Sequence, residues 1–161
     1  MFDYRQAANP VRTGLTEPIP YRSWGAELHS SGPSGVIPLD LSAELGVPGP
    51  ATSPSLAAHS IRIEAGEGVR AAAIATSSLF FVLSGAGCCR FRDQDDDTAI
   101  AWTEGDLFVL PAGGTPLLEA ERTSVLYWVH DAPLLSYLGV TPSGPRFEPT
   151  HYSASWLRSE L

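Results

Sequence analysis

The stretch GDLFVLPAG, residues 105–113, is the most informative segment of this chain for its fold. A glycine at each end and a proline near the second supply tight turns, and the four apolar residues between them predict a short buried strand. The run SLFFVLSGAG, residues 78–87, has the same plan, an apolar strand that ends in Gly-X-Gly. We expect its glycines, Gly85 and Gly87, to turn the chain into the next strand.

The same pattern continues on both sides of these two segments. Strands are predicted over residues 59–64, 69–76, 79–84, 88–92, 99–102, 107–110, 115–119 and 124–129, with an acidic hairpin turn at 93–97. Short strands at this spacing are typical of an antiparallel barrel or sandwich. Helix is predicted only over 132–137 and 153–160, where Ser153 is a candidate N-cap. The pattern therefore predicts an all-β fold.

Residues 1–55 are rich in proline, glycine and serine and have no long period. Fragments at 18–21 and 36–41 are candidate edge strands, because proline cannot occupy a central strand of a sheet. We expect this segment to lie as an arm across the barrel or a partner subunit, anchored by Tyr21, Trp24, Ile37 and Leu39. The chain then divides into an arm, 1–55, and a β-barrel, 56–161.

The composition excludes several kinds of partner. Eighteen acidic residues against ten basic ones give a net charge of −8, which repels nucleic acid and anionic lipid, so neither is expected as a partner. Residues 71–89 carry no charge, but serine, threonine and glycine interrupt them, so strands are predicted there instead of a membrane span. The first residues lack the apolar run of a secretory signal, and adjacent Cys88 and Cys89 predict free thiols. Both features favour the cytoplasm.

Segment 105–113 resembles the second signature of the cupin family, and segment 78–87 resembles the end of the first. Residues 125–135 and 148–152 are similar to segments of the gentisate 1,2-dioxygenase-like branch. The resemblance implies a single-domain cupin jelly-roll β-barrel with a short C-terminal helix, about one barrel of a two-barrel protein. It also implies relatives that use iron to cleave the rings of hydroxy-aromatic acids.

The metal ligands that the resemblance implies are missing from this chain. Family members hold iron with a His-X-His pair, a Glu and a later His, and the matching positions here are Ala72, Ile74, Ser78 and Pro116. These side chains offer no imidazole or carboxylate, the donors that ferrous iron needs. No histidine lies between His59 and His130, so no shift of the alignment restores the pair. We therefore expect no metal and no cofactor.

A barrel without its metal ligands predicts a small-molecule pocket, since small barrels either fill with side chains or hold one ligand. His59 and His130 are the candidate catalytic residues, because an imidazole titrates near neutral pH. Alternation places His130 on the same strand face as Leu126 and Trp128. The residues expected to bind the substrate are Ala72, Ile74, Thr76, Ser78, Phe81, Trp102, Phe108, Pro116, Leu118, Tyr127 and Trp128.

Three functions remain open at this point, and with them the question of whether the chain is an enzyme. The first is a metal-free cupin that binds a small aromatic or polyketide-like compound and catalyses isomerisation, cyclisation or elimination. The second is a non-catalytic ligand-binding or regulatory cupin. The third is an iron dioxygenase with unorthodox ligands, in which Glu64 or Glu119 joins the two histidines. A homodimer is expected, as for many cupins that pair through the sheet edge and the arm.

Overall fold

The structure, a computed structural model, describes residue 8, residues 12–14, residues 20–93 and residues 96–160. Its strands are all antiparallel, and its helices are short. In chain order the elements are α1 (Glu27–Ser30), β1 (Gly35–Pro38), α2 (Ser42–Leu45), β2 (Ala57–Ile63), β3 (Gly68–Arg70), β4 (Ser77–Asp93), β5 (Asp96–Thr103), β6 (Leu107–Pro111), β7 (Leu117–His130), α3 (Ala132–Leu138), β8 (Thr150–Tyr152) and α4 (Ala154–Glu160).

The strands form one eight-stranded sheet in the order β1-β2-β7-β4-β6-β8, with β3 paired to β7 and β5 to β4. The sheet wraps around a single core, and the all-β class predicted from the sequence is confirmed. The core takes side chains from β2 to β7, and its largest fully buried members include Ile61, Phe80, Trp102, Phe108, Leu118 and Leu126. The long strands β4 and β7 share the longest pairing and lie at the centre of the sheet.

The turn predicted at Gly85–Gly87 is wrong, because β4 runs through these residues without reversing. Register shifts between Val82 and Gly87 bend the strand instead. Gly85 has a φ of 96°, and a Cβ on Gly87 would lie 2.6 Å from the Trp102 ring. Glycine therefore serves here to bend a strand and to admit a buried tryptophan.

Other boundaries also differ from the sequence pattern. The strands predicted at 115–119 and 124–129 are one continuous strand, β7, whereas the strand predicted at 69–76 ends at Arg70 in β3. The acidic hairpin is present, since Asp93 pairs with Asp96, although residues 94–95 lie outside the described residues. Both helices are present, and the Trp156 amide donates to the Ser153 hydroxyl at 3.2 Å, as expected for an N-cap.

The arm joins the barrel through an edge strand. Strand β1, which lies within the fragment predicted at 36–41 apart from its first residue, pairs with β2. Tyr21 is 90% exposed and is not an anchor, whereas Trp24, Ile37 and Leu39 are half-buried. Residues 18–19 of the other predicted fragment lie outside the described residues. Every helix among the described residues falls short of the length and apolar character that a membrane span requires.

A buried arginine fastens the arm to the outer face of β2. The Arg62 Nε donates to the carbonyl of His29 at 3.0 Å, and its Nη1 donates to the carbonyl of Gly32. Its Nη2 lies 2.6 Å from the Glu64 carboxylate, and its side chain is only 8% exposed. Charge-assisted bonds of this kind are stronger than neutral ones, so Arg62 holds residues 29–32 against the sheet.

Replacement of this arginine should release the arm. In Arg62→Met the carbonyls of His29 and Gly32 lose their donors, and the free energy of unfolding should fall by about 2 kcal/mol. Thermolysin should cut within residues 20–34 at least about tenfold faster, as measured by mass spectrometry of limited digests. Arg90→Met is the matched control, because it removes an exposed guanidinium from β4. Equal digestion of both variants would contradict the role given to Arg62.

Candidate functional site

A cleft of about 440 Å³ opens at one end of the barrel. This barrel-mouth cleft is built from five parts of the chain, which are strand β2, strand β7, the segment that leaves β3, the arm and helix α3. Its lining consists of Val36, Pro48, Gly49, Pro50, His59, Arg70, Ala72, Ala73, Trp128, His130, Ala132, Pro133 and Ser136. Most of these side chains are apolar, and three carry an imidazole or a guanidinium.

The two histidines meet because of the register between β2 and β7. His59 lies opposite Trp128, and His130 lies opposite Ala57, two residues away from His59 along the same strand face. The Nε2 atoms of the two histidines are 3.0 Å apart, and their rings are nearly parallel at a centroid distance of 5.0 Å. Both residues are more than nine-tenths buried. The pair is therefore a single hydrogen-bonded unit at the base of the cleft.

An aromatic stack supports the pair from inside the barrel. The Trp128 ring lies 4.8 Å from the His59 ring and 4.6 Å from the His130 ring. The Phe80 ring is parallel to the Trp128 ring at a centroid distance of 5.7 Å, and Phe108 stacks on Phe80 at 4.9 Å. Because this column of rings is fully packed, neither imidazole can sink into the core.

The backbone determines which nitrogen of each imidazole carries a proton. The Ala132 amide donates to His130 Nδ1 at 3.3 Å, so that nitrogen must be an acceptor. A neutral His130 then carries its proton on Nε2 and donates it to His59 Nε2. His59 in turn carries its proton on Nδ1, a buried atom with no hydrogen-bond partner among the described residues.

Both imidazoles are held neutral at pH 7. Burial, followed by the nearby His59, lowers the pKa of His130 from 6.5 to about 4. Burial also lowers the pKa of His59, although the Asp40 carboxylate partly offsets this effect. A further proton on His130 Nδ1 would face the Ala132 N–H, and a further proton on His59 Nε2 would face the N–H of His130. Geometry and desolvation therefore act in the same direction.

A cation lines the same cleft. The side chain of Arg70, the last residue of β3, is exposed and makes no hydrogen bond or ion pair with any described residue. Its guanidinium is a planar donor suited to a carboxylate. The cleft thus combines the aromatic ring of Trp128, a neutral donor–acceptor pair of imidazoles and an arginine that is free to bind an anion.

The structure brings together four residues predicted from the sequence. His59, His130, Trp128 and Ala72 all line the barrel-mouth cleft. Thr76 lies outside it, where its amide donates to the Asp131 carboxylate at 2.8 Å. Ile74 is 65% exposed and does not line this cleft.

Two further groups of predicted residues lie elsewhere. Phe81 and Tyr127 face each other across β4 and β7, one residue out of phase with the interior pair Phe80 and Trp128, so they belong to the outer face of the sheet. Trp102, Phe108 and Leu118 are buried in the core and contribute packing. Alternation on β7 therefore excludes Tyr127 from the site that holds Trp128.

The space expected for the metal of the family is nearly closed. Ser78 and Pro116 line a void of about 10 Å³, together with Ala71, Ala73 and Ala75. Ala71 and Ala75 are buried, whereas Ala72 and Ile74 are exposed. The alignment that matched Ala72 and Ile74 to the His-X-His pair is thus one residue out of phase with the inward face.

The described residues do not fit the iron that the resemblance implies. They contain no group of three His, Cys, Asp or Glu side chains close enough to share a metal ion. Glu64 is bonded to Arg62 and Thr123, and Glu119 to Arg90, so neither carboxylate joins the histidines. A metal-bound imidazole normally donates its second N–H to an acceptor, but His130 Nδ1 faces an N–H donor.

Several residues of the cleft were not predicted from the sequence. Arg70 was the easiest of these to predict. It precedes Ala72 by two positions, and alternation along the predicted strand places both on one face. The arm residues 48–50 and the helix residues Ala132, Pro133 and Ser136 carry no local signal, because long-range packing alone brings them to the barrel mouth.

No protein-family model matches this sequence, and no curated protein is similar to it. Solved structures are similar in fold. A salicylate 1,2-dioxygenase from Pseudoaminobacter salicylatoxidans, crystallised as adducts with gentisate, matches with a TM-score of 0.55 at 23% identity, over 70% of this chain and 29% of that chain. A single-substitution mutant of that enzyme, in complex with gentisate, gives the same TM-score and identity.

A smaller protein is similar over almost its whole length. An RmlC-like cupin protein from Desulfovibrio desulfuricans matches with a TM-score of 0.50 at 16% identity, over 70% of this chain and 98% of that chain. These likenesses show that the chain has the cupin fold, and they confirm at the level of the fold the resemblance to the gentisate dioxygenase-like branch. The chain spans less than a third of the length of the dioxygenase.

The low pKa of His130 should appear in the stability of the protein. Because the unfolded imidazole titrates near 6.5 and the folded one near 4, the unfolded chain binds more protons between these values. The stabilisation is complete above about pH 7 and is lost as the pH falls, by about 2 kcal/mol between pH 7.5 and pH 5. Urea unfolding across this range should show that loss, and His130→Leu should remove most of it. Parallel curves for the two proteins would contradict a neutral, buried His130.

Proposed function

We propose that this chain binds a small aromatic or polyketide-like compound in the barrel-mouth cleft and, without a metal, moves a proton on it with His59 and His130. The reaction class is isomerisation, cyclisation or elimination. The observation that carries this proposal is the 3.0 Å contact between the two Nε2 atoms, which places one N–H donor beside one lone pair at the base of the cleft.

The two Nε2 atoms are in direct contact, so the rings must first separate toward the cleft; a ligand that then lies between them takes over both partners of this hydrogen bond. The N–H of His130 is donated to a carbonyl oxygen of the ligand, while the Nε2 lone pair of His59 faces an acidic C–H next to that carbonyl. A neutral imidazole of low pKa is a suitable donor to an oxygen that gains charge. The two roles follow from the tautomers that the Ala132 amide imposes.

The chemical step balances without an external oxidant or reductant. The C–H bond breaks, the proton moves to His59 Nε2, and the electron pair forms an enolate whose oxygen accepts from His130. Return of the proton to a different carbon completes an isomerisation. Loss of a leaving group from the neighbouring carbon gives an elimination, and attack of the enolate carbon on a second carbonyl gives a cyclisation.

Arg70 favours a ligand with an acidic group. Its guanidinium and the Trp128 ring line the same cleft, so a planar molecule with a carboxylate can engage both. The salicylate dioxygenases of similar fold were crystallised with gentisate, a compound of this class. We therefore extend the proposal to aromatic acids. We also propose that the chain works as a homodimer in the cytoplasm, needs no cofactor and binds neither nucleic acid nor membrane.

Non-catalytic binding is the second candidate, and one observation favours it. An imidazole whose pKa is lowered by burial is a weak base, and here the two rings satisfy each other. A ligand would then be held by Arg70 and Trp128 without proton transfer. Binding and exchange measurements separate the two candidates.

Binding is tested by calorimetric titration of the protein, dialysed against EDTA, with salicylate and gentisate. We expect one site per chain, and Arg70→Gln should weaken binding at least about tenfold, because the paired charge is lost. Arg158→Gln, which removes a cation from α4, is the matched control and should bind as the parent protein does. Binding that appears only after metal is restored, or that Arg70→Gln leaves unchanged, would contradict this site.

Proton transfer is tested by deuterium exchange in D₂O with an aromatic β-diketone that carries a carboxylate. The parent protein should accelerate exchange at the carbon between the carbonyls, and His59→Gln and His130→Gln should each lower the rate by about a hundredfold. The affinity for the probe should change far less. Exchange that survives both substitutions would exclude the imidazoles, and binding without any exchange would leave the non-catalytic function.

A further inference from the structure

A second cleft lies on the outer face of the barrel, between the arm and strands β2, β4 and β7. Its volume is about 180 Å³. From the arm it is lined by Trp24, Gly25, Leu28, His29 and Leu39, and from the barrel by Ser60, Leu83 and Tyr127. We call it the arm cleft. It shares no residue with the barrel-mouth cleft, because Ser60 and His59 are neighbours on β2 and point to opposite faces of the sheet.

Ser60 is the polar residue of the arm cleft that is buried without a hydrogen-bond partner among the described residues. The residue is only 4% exposed. A buried hydroxyl without a partner costs about 1–3 kcal/mol, so a ligand that supplies the missing partner is favoured. Tyr127 lies directly opposite Ser60 in the pairing of β2 with β7.

The rest of the lining restricts the chemistry of the ligand. The arm cleft has no Asp, Glu, Lys or Arg among its described lining residues, and Arg62 nearby is already engaged by the carbonyls of His29 and Gly32. A charged ligand would therefore lose its hydration without gaining a permanently charged partner, since the imidazole of His29 is the one titratable base among the described lining residues. Trp24 and Tyr127 offer aromatic surface, which favours a planar apolar body.

The size of the cleft restricts the ligand further. An apolar cavity of roughly 150 Å³ is known to accept benzene. A cleft of about 180 Å³ has room for one aromatic ring with a small substituent. We propose that the arm cleft is a binding site for a small neutral aromatic molecule with one hydroxyl group, of the phenol class, whose oxygen pairs with the Ser60 hydroxyl.

Such a ligand would bridge the arm and the barrel. Its contacts come from the arm on one side and from the sheet on the other, so binding here adds to the attachment that Arg62 provides. A molecule that binds only the docked arm stabilises that state by mass action. Occupancy of the arm cleft should therefore slow proteolysis within residues 20–34.

The experiment uses phenol and toluene as probes on the full chain, followed by NMR of the ¹⁵N-labelled protein. We expect saturable phenol binding at one site, with shifts at Trp24, Ser60 and Tyr127, and toluene binding about fivefold more weakly. Ser60→Ala should remove this preference, since it deletes the hydrogen bond and leaves the apolar walls. Leu28→Phe, which fills the cleft, should abolish binding of both probes.

Ser136→Ala, in the barrel-mouth cleft, is the matched control and should leave phenol binding unchanged. The proposal is overturned if phenol does not saturate, if its shifts map to the barrel mouth, or if Ser60→Ala still prefers phenol to toluene. These outcomes do not depend on the proposed reaction at His59 and His130.

Discussion

The register of β2 against β7 is the constraint on which the candidate site depends. It sets His59 opposite Trp128 and Ala57 opposite His130, so the two imidazoles occupy adjacent positions on one inward face. A slip of one residue would move every side chain of β2 to the other face and would exchange His59 with Ser60. Edge strand β1 pairs with β2, and the buried Arg62 belongs to β2, so the arm, the barrel-mouth cleft and the arm cleft all depend on this pairing.

The chain keeps the cupin barrel and places its chemically capable groups at the mouth. Around Ser78 and Pro116, two of the positions that the resemblance matches to iron ligands, this chain has small side chains and a nearly closed void. Below the mouth, the interior is filled by the column of Phe108, Phe80 and Trp128. That column holds the histidines at the surface of the core. The Ala132 amide at the start of α3 sets the direction of the hydrogen bond between them, with His130 as donor and His59 as acceptor. Fold and chemistry are thus separable, as is usual for a widely used scaffold.

Much of the fold was predictable because strand alternation is a local property. The period of two placed Leu126, Trp128 and His130 on one face, and all three are buried. Gly85–Gly87 misled the prediction, since the same glycines serve a reversal or a bent strand, and only the partner strand decides which. The phase of Ala71–Ala75 was lost because β3 ends at Arg70 and the following residues are not held in a ladder. The parts of the cleft from the arm and α3 required knowledge of packing between segments distant in sequence.

We expect His59 and His130 to form a neutral donor–acceptor pair that does not hold a metal. A long-range ¹H–¹⁵N correlation spectrum of the histidine rings at pH 7.5 tests it directly, because the nitrogen shifts report the tautomer. The predicted result is His130 protonated at Nε2 and His59 protonated at Nδ1, in metal-free protein and again after addition of one equivalent of ferrous iron or zinc. Deprotonation of both Nε2 atoms, with a joint shift on addition of one equivalent of metal, would contradict it.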